Sequence, residues 1–318
     1  MSSTIQRCIQ LCTLLTALVL SFQSQAAYQF TTVDYPNAVS TSLWGINDSG
    51  QVVGNATFSD GSDTNFIYDI NKRTFTNISA PDDTGLLGIN GSGVLVGGVT
   101  AKHIESGIIR DKSGRYQSFS VPGWDNTEAR GVNKSGLVAG FAYAKTNDDT
   151  IGFVYDPVTG HFDTFLLQTV FPSPTIAQGI NAGGQVAGSV FLPANAPGTG
   201  CIDQGRYGFV RSATGAITYF FVNGGNTAAR GINDSGLIAG FANGVGFVAT
   251  LSGGGSCQSL TVAAGNVLSS NNPNEAGAFA QSINNGGVVS GAWQEYLGGN
   301  PSRPTSYTMH GFIATPTK

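Results

Sequence analysis

Two arginines at equivalent places in the sequence could bind an anionic group. Arg130 and Arg230 each stand in an Ala-Arg-Gly segment, directly before Gly-Val-Asn and Gly-Ile-Asn. A guanidinium group donates paired hydrogen bonds to a carboxylate. The two residues therefore suggest an anionic ligand such as a carboxylate or a uronate. The alternative is that each arginine is retained with a repeated segment and pairs with a backbone carbonyl or with an acid such as Glu128.

Histidine and tyrosine are the residues that could transfer protons. Of the three histidines, His103 and His310 fall near long loops, whereas His161 falls in a Thr-Gly-His turn. An enzyme acting on an anionic glycan would need arginine to neutralise the carboxylate and a base beside it. The candidates for that role are Arg130, Arg230, Tyr207, Tyr307 and His310. The sequence contains no nucleophile-elbow, zinc-protease or phosphate-loop motif.

Two acidic segments contain the oxygen ligands that Ca²⁺ prefers. They are Asp60-Gly-Ser-Asp63 and Asn147-Asp-Asp149. Solvated acidic turns are the favoured interpretation of both segments. We therefore predict no metal site and no cofactor.

The arginines belong to a segment that recurs six times. Each copy has an asparagine, a glycine three residues later and a glycine seven residues later, and the copies are 43 to 52 residues apart. The asparagines are Asn47, Asn90, Asn133, Asn181, Asn233 and Asn284. The residues three places before them are Trp44, Leu87, Arg130, Gln178, Arg230 and Gln281. We expect these six at the mouth of a central channel, and all except Leu87 are candidate ligand-binding residues.

Each copy also contains four short runs of β-branched or aromatic residues, here called strands a, b, c and d. Four strands in this length match one blade of a β-propeller. The sixth copy ends without strand d, and Tyr28–Val33 has the missing pattern. The sequence therefore predicts an all-β, six-bladed β-propeller with four strands per blade, whose N-terminal strand closes the last blade. An outer-membrane barrel and an open β-solenoid are the rival architectures.

The repeat resembles that of the bacterial extracellular HAF family. The pattern Gly-Ile-Asn-x-x-Gly-x-Val-x-Gly followed by His-x-Phe is similar in both, and His310-Gly-Phe312 comes closest to the family's His-Ala-Phe core. The other copies lack the histidine, and the family's Asp-Leu-Gly-Thr-Leu-Gly-Gly segment is absent. The resemblance implies an exported bacterial repeat protein and carries no established activity.

The b–c and d–a loops of a propeller share one face, which we call the loop face. The b–c loops vary in length while the a–b turns stay short, and such variation favours the loop face as the functional one. Unselected insertion is the alternative. The two longest b–c loops carry Asp203, Arg206, Tyr207, Trp293, Glu295, Tyr296, Arg303, Tyr307 and His310. Of these, Arg206, Trp293, Glu295 and Tyr296 complete the candidate ligand-binding set.

Cys201 and Cys257 are the two cysteines beyond the first 26 residues, and the sequence leaves their pairing open. An exported pair suggests a disulfide. However, residues 257–261 have the pattern of strand d of the fifth copy. That assignment places Cys257 at a c–d turn and Cys201 in a b–c loop, on opposite faces of the propeller.

Residues 1–26 have the features of a secretory signal peptide. Arg7 precedes an apolar run that ends at small residues around Ala26. We expect residues 27–318 to form a single domain, secreted or periplasmic, monomeric and without a membrane span. A hydrophobic content of 41% argues against intrinsic disorder. A net charge of -4 argues against nucleic-acid binding.

The sequence thus predicts an exported binding or interaction module that recognises a carbohydrate or a protein through its loop face. One alternative is a polysaccharide lyase or hydrolase acting on an anionic glycan at the same face. The other is a structural surface repeat protein without a small ligand.

Overall fold

The computed structural model describes residues 27–145, 149–167, 174–253, 255–298 and 307–317, which form six blades of antiparallel strands in a ring. The predicted signal peptide, the segment 147–148 and Arg303 lie outside the described residues. The strands of blade 1 are β2 (Ser40–Ile46), β3 (Gln51–Thr57), β4 (Asp63–Asp69) and β5 (Thr74–Ile78). Those of blade 2 are β6 (Thr84–Ile89), β7 (Leu95–Ala101), β8 (Ile104–Arg110) and β9 (Tyr116–Phe119).

The other four blades repeat this arrangement. Blade 3 has β10 (Asn126–Val132), β11 (Val138–Tyr143), β12 (Thr150–Asp156) and β13 (His161–Phe165). Blade 4 has β14 (Thr175–Ile180), β15 (Val186–Leu192), β16 (Gly205–Arg211) and β17 (Ile217–Val222). Blade 5 has β18 (Thr227–Ile232), β19 (Leu237–Ala242), β20 (Val245–Thr250) and β22 (Val267–Leu268), and blade 6 has β23 (Glu275–Ile283), β24 (Val289–Tyr296), β25 (Tyr307–Pro316) and β1 (Tyr28–Val33). The predicted six-bladed β-propeller is therefore confirmed.

The N-terminal strand closes the ring, as the sequence predicts. β1 pairs antiparallel with β25 from Tyr28 opposite Pro316 to Val33 opposite Gly311. Blade 6 in turn packs against β2 of blade 1. Closure of this kind leaves no blade without two neighbours, so each apolar blade face is covered.

The core lies between the blades. Large phenylalanines on strand c, such as Phe66, Phe153 and Phe209, are fully buried. Each lies over the glycine of strand b, because a Cβ on Gly140, for example, would be 2.7 Å from Phe153 and 2.1 Å from the Glu128 carbonyl oxygen. A side chain at this position of strand b would overlap the phenylalanine ring, so the repeated residue is glycine.

The strand assignment for residues 257–261 is wrong. β21 (Cys257–Leu260) adds in parallel to β17, as a fifth strand at the outer edge of blade 4, with Cys257 opposite Tyr219. The fourth strand of blade 5 is the two-residue β22, which pairs with β20. A short alternating run can add to any exposed edge, so its pattern does not say which blade it joins.

Because β21 joins blade 4 and not blade 5, the two cysteines lie side by side. Cys201 is 3% exposed and packs with Leu192, Tyr207 and Tyr219 in the core of blade 4. Cys257, at the start of β21, forms a disulfide with it across a sequence separation of 56 residues. The objection that the two residues occupy opposite faces therefore fails.

Among the described residues, no helix has the length and apolar character needed to cross a membrane.

Candidate functional site

One cavity on the propeller axis gathers the residue three places before the repeated asparagine in each of the six copies. Its volume is about 90 Å³. The six lining residues of this set are Trp44, Leu87, Arg130, Gln178, Arg230 and Gln281. Since one water needs about 10–15 Å³ of such volume, the axial cavity can hold a carboxylate-sized group but no whole sugar.

A β-bulge in strand a brings these side chains to the axis. In blade 3 the register passes from Ala129 to Gly131, so Arg130 has no partner on the neighbouring strand. Arg230 and Gln178 occupy the same bulge in their own blades. A bulge interrupts the alternation of side chains along a strand and re-aims the extra residue. The bulges therefore explain how the residue three places before each repeated asparagine reaches the axial cavity.

The glycine after each bulge allows the blades to meet at the axis. A Cβ on Gly131 would lie 2.7 Å from the Gln178 carbonyl oxygen of the next blade, and one on Gly179 would lie 2.7 Å from that of Arg230. Any residue larger than glycine at these positions would overlap the backbone of the next blade. The strands therefore approach closely enough for neighbouring bulge residues to share one cavity.

Arg130 has an internal counter-charge. Its guanidinium is 2.7 Å from a carboxylate oxygen of Glu128, and both side chains are largely buried. The guanidinium carbon also lies 5.6 Å from the ring centres of Trp44 and Phe141. Burial raises the pKa of Glu128, and the charge of Arg130 opposes that shift. The sequence alternative in which this arginine pairs with Glu128 is therefore realised.

Arg230 occupies the equivalent position but has no ion pair, because the Glu128 carboxylate is paired with Arg130 and reaches Arg230 only through its longer-range charge. Its guanidinium carbon lies 5.3 Å from the Phe241 ring, but it has no ion pair or hydrogen bond with the described part of the chain. Its Nε is buried and unpartnered, as is the Nε of Arg130, so the two arginines differ in the ion pair and not in this atom. Burial and repulsion from Arg130 lower the pKa of Arg230 to about 9, so the group is still a cation at neutral pH. A buried cation of this kind is stabilised by a bound anion.

The sequence contains the signal that separates the two arginines. Blade 3 has Glu128 two residues before Arg130, and blade 5 has Ala228 two residues before Arg230. The two segments are identical over Ala-Arg-Gly and differ at the residue directly before it. The missing acid makes Arg230, and not the pair as a whole, the unsatisfied group.

The floor of the axial cavity is apolar. The residue directly before each repeated asparagine contributes to this floor. The six residues form one ring: Ile46, Ile89, Val132, Ile180, Ile232 and Ile283. Below it, at the a–b turns, a second cavity of about 100 Å³ is lined by the six repeated asparagines. The apolar ring separates the two cavities, so a ligand at the arginines enters from the loop face.

Arg206 and Tyr207 lie in a neighbouring groove on the loop face. The groove has a volume of about 230 Å³ and is also lined by Asp203. Arg206 is exposed and close enough to Arg230 to contribute to the lowering of its pKa. Tyr207 is 4% exposed and donates a hydrogen bond to the Asp203 carbonyl. Burial raises the pKa of the Tyr207 phenol, so this group stays protonated at neutral pH and is not available to accept a proton.

Trp293, Glu295 and His310 form a separate cluster in blade 6. The His310 ring stacks on Trp293 at 4.5 Å. Its Nδ1 is 2.8 Å from Asp34 and its Nε2 is 3.1 Å from Glu295. Trp293 is 4% exposed and donates to the Thr32 hydroxyl. The cluster connects β24 and β25 to the end of β1, so these contacts fasten the ring closure.

Replacing His310 with phenylalanine should lower the free energy of unfolding by about 1 kcal/mol. The phenyl ring keeps the stacking on Trp293 but loses both carboxylate contacts, which are partly exposed and therefore screened. Thermal or denaturant unfolding would measure the loss. The matched control is the exposed His161→Phe on the opposite face. An equal effect of the two substitutions would contradict the fastening role.

The proposed catalytic residues do not converge in the described structure. Arg130 and Arg230 share the axial cavity, but Tyr207, Tyr307 and His310 do not line it. Tyr307 packs against Tyr296 at 5.7 Å between ring centres. Trp293 and Glu295 belong to the His310 cluster, so only Arg206 among the loop candidates has a side chain near the arginines. A base from the predicted set is therefore missing beside them.

The acidic turns do not form a metal centre in the described residues. The Asp60 carboxylate accepts hydrogen bonds from the backbone and hydroxyl of Ser62. These bonds lower the pKa of Asp60. The described part of the chain contains no group of three histidine, cysteine or acidic side chains able to hold a metal ion.

No family model matches the sequence, and no curated protein sequence matches it either. A solved structure provisionally named a gluconolactonase is 13% identical over 92% of this chain and 94% of its own, with a TM-score of 0.52. Virginiamycin B lyase from Staphylococcus aureus is 11% identical over 91% of this chain and 99% of its own, with a TM-score of 0.47. TolB from Acinetobacter baumannii is 10% identical over 66% of this chain, with a TM-score of 0.46, and this chain spans 51% of TolB. The first similarity supports the fold alone, and membership in the HAF family stays a prediction.

Proposed function

We propose that the protein is an exported binding module that recognises an anionic group of a carbohydrate or a protein at the axial cavity of its loop face. The unpaired guanidinium of Arg230 carries this proposal. A buried cation with an unpartnered Nε, two like charges nearby (Arg130 and Arg206) and one carboxylate already paired elsewhere (Glu128) costs free energy unless an anion is bound. The axial cavity supports one carboxylate as the group that enters.

The lining residues complement such a group. Gln178 and Gln281 supply side-chain amides, and Trp44 supplies an aromatic ring beside the cavity. Trp44 is held in place because its indole N–H donates to Asn55 at 2.9 Å. Guanidinium, amide and aromatic groups together suit the carboxylate and the adjoining apolar face of an acidic sugar.

Arg230→Gln should weaken the binding of galacturonate by at least about tenfold, since a charge-assisted hydrogen bond contributes about 1.5–3 kcal/mol. Isothermal titration calorimetry of the folded variant and the parent protein would measure this. Galactose is the neutral control ligand. Arg115→Gln, which alters an exposed ion pair with Asp111 away from the axis, is the control variant. Unchanged galacturonate binding in Arg230→Gln, or no binding in the parent protein, would overturn the proposal.

Two variants test the counter-charge argument in the same titration. Glu128→Gln releases Arg130 from its internal partner and should strengthen galacturonate binding. Ala228→Glu gives Arg230 the partner that Arg130 has and should weaken binding without removing an arginine. Opposite signs for these two variants would identify anion binding rather than general loss of structure.

A further inference from the structure

The size of the axial cavity means that most of any ligand lies outside it. About 90 Å³ accommodates the carboxylate, and the remainder of the molecule must extend over the loop face. The direction of that extension depends on the grooves that flank the axial cavity. Two grooves on the loop face differ sharply in charge.

The groove between blades 1 and 2 is acidic. It has a volume of about 930 Å³, and its lining includes Asp63, Asp82 and Asp83. Its described lining contains no arginine or lysine. An anionic ligand that already has a carboxylate on the axis is repelled from this side.

The groove between blades 4 and 5, which we call the Arg206 groove, is lined by one cation and one carboxylate, Arg206 and Asp203, and is therefore neutral where the first groove is acidic. Arg206 is exposed there, and its guanidinium has no hydrogen bond or ion pair with the described residues. It is also close enough to Arg230 for the two charges to repel each other. Two cations in sequence along the face offer sites for two successive anionic groups.

The framework of the Arg206 groove is held by asparagines. The Asn226 carboxamide oxygen accepts from the Arg206 backbone N–H at 3.0 Å, and that of Asn243 accepts from the Asn226 backbone N–H at 3.2 Å. The Nδ2 groups of both asparagines and the carboxylate of Asp203 have no hydrogen-bond partner among the described residues. Donors and acceptors are therefore both free, as the hydroxyl groups of a sugar require.

We propose that the ligand is an oligouronate, a chain of sugars that each carry a carboxylate. This rests on the function proposed above. One carboxylate occupies the axial cavity at Arg230 and Arg130, and the chain continues through the Arg206 groove, where the next carboxylate meets Arg206. The polar lining favours hydroxylated sugars over an acidic peptide, because a peptide has fewer groups to use the free amides and the Asp203 carboxylate.

Calorimetric titration with galacturonate, trigalacturonate, maltotriose and triglutamate tests the proposal. Trigalacturonate should bind the parent protein about fivefold more tightly than galacturonate, since it adds an ion pair at the exposed Arg206. Arg206→Gln should remove that gain, so that trigalacturonate and galacturonate bind this variant with equal affinity. Arg230→Gln should weaken both anionic sugars. Arg115→Gln is again the control, and maltotriose should not bind.

The outcomes separate the two proposals. The oligouronate assignment fails if trigalacturonate binds no more tightly than galacturonate, or if Arg206→Gln leaves the affinity for trigalacturonate unchanged. The anion-binding function stands in both cases, provided that galacturonate binding depends on Arg230. If Arg206→Gln weakens the binding of triglutamate but not that of trigalacturonate, the ligand is an acidic peptide and the sugar assignment is overturned. If neither anionic sugar nor triglutamate binds, both proposals fail.

Discussion

Replacing Asn133 with alanine should lower the free energy of unfolding by about 3 kcal/mol. Asn133 is 4% exposed, and its Oδ1 accepts from the backbone N–H groups of Ser135 and Leu137 at 3.1 and 3.0 Å. Its Nδ2 donates to the Asn181 carbonyl of the next blade at 3.1 Å. Alanine leaves these groups without partners in a buried place, and each such loss costs about 1–3 kcal/mol.

The bond from Asn133 is one link of a closed circle that we call the Asn belt. Each repeated asparagine donates from Nδ2 to the carbonyl of its counterpart in the next blade, and the last donates to the first, at 3.0–3.2 Å. The same side chain therefore closes its own a–b turn and fastens one blade to another. Cooperative polarisation along such a circle adds to the individual bonds.

Denaturant unfolding of Asn133→Ala and Ser135→Ala would measure the contribution of the belt. Ser135 donates from its hydroxyl to the same Oδ1 at 2.8 Å and has no hydrogen bond to a described residue of the next blade. Ser135→Ala should cost less than about 1 kcal/mol, as expected for a partly exposed hydroxyl. If Asn133→Ala costs no more than Ser135→Ala, the belt does not stabilise the ring.

Removing the disulfide should cost about 4 kcal/mol. The bond between Cys201 and Cys257 closes a loop with a sequence separation of 56 residues, and the chain-entropy relation assigns about 4 kcal/mol to a loop of that length. The bond also holds β21 at the edge of β17, where only four residue pairs join the two strands. Cys201→Ser combined with Cys257→Ser should therefore lower the unfolding midpoint substantially.

Unfolding of the double variant and of the parent protein, with and without reductant, tests this expectation. Reductant should destabilise the parent protein to the level of the double variant and should leave the double variant unchanged. Two free thiols in the native parent protein, or identical midpoints for the parent and the variant, would contradict the disulfide's role. The titration of trigalacturonate on the double variant would show whether the bond also positions the Arg206 groove.

Much of the fold could be predicted because each repeat encodes its own blade. The asparagine and the first glycine of the a–b turn make a tight hairpin, and Gly50 has the positive φ of 77° that this turn requires. Tyr28–Val33 has the pattern that copy six lacks, and closure follows from it. These features are local, since turn chemistry and alternation depend on neighbouring residues in the chain.

The site was predictable in part for the same reason. The residue before the glycine of strand a recurs at one place per repeat, so a ring of such residues follows from the symmetry of the propeller. Arg130 and Arg230 therefore share a cavity as expected. Trp293 and His310 lie in irregular loops, where no symmetry predicts the side-chain direction, and the structure places them against β1 instead.

The sequence by itself determined the number of blades, the strand that closes the ring and the six residues that surround the axis, because repetition and local turn chemistry are sufficient for these. Only the tertiary structure decided that β21 joins blade 4, that Cys201 meets Cys257, and that Trp293 and His310 lie against β1 and Asp34 instead of beside the arginines. Each of these depends on a contact between residues that are distant in sequence or on the absence of one. Such contacts are set by the packing of whole blades, which a local pattern does not contain.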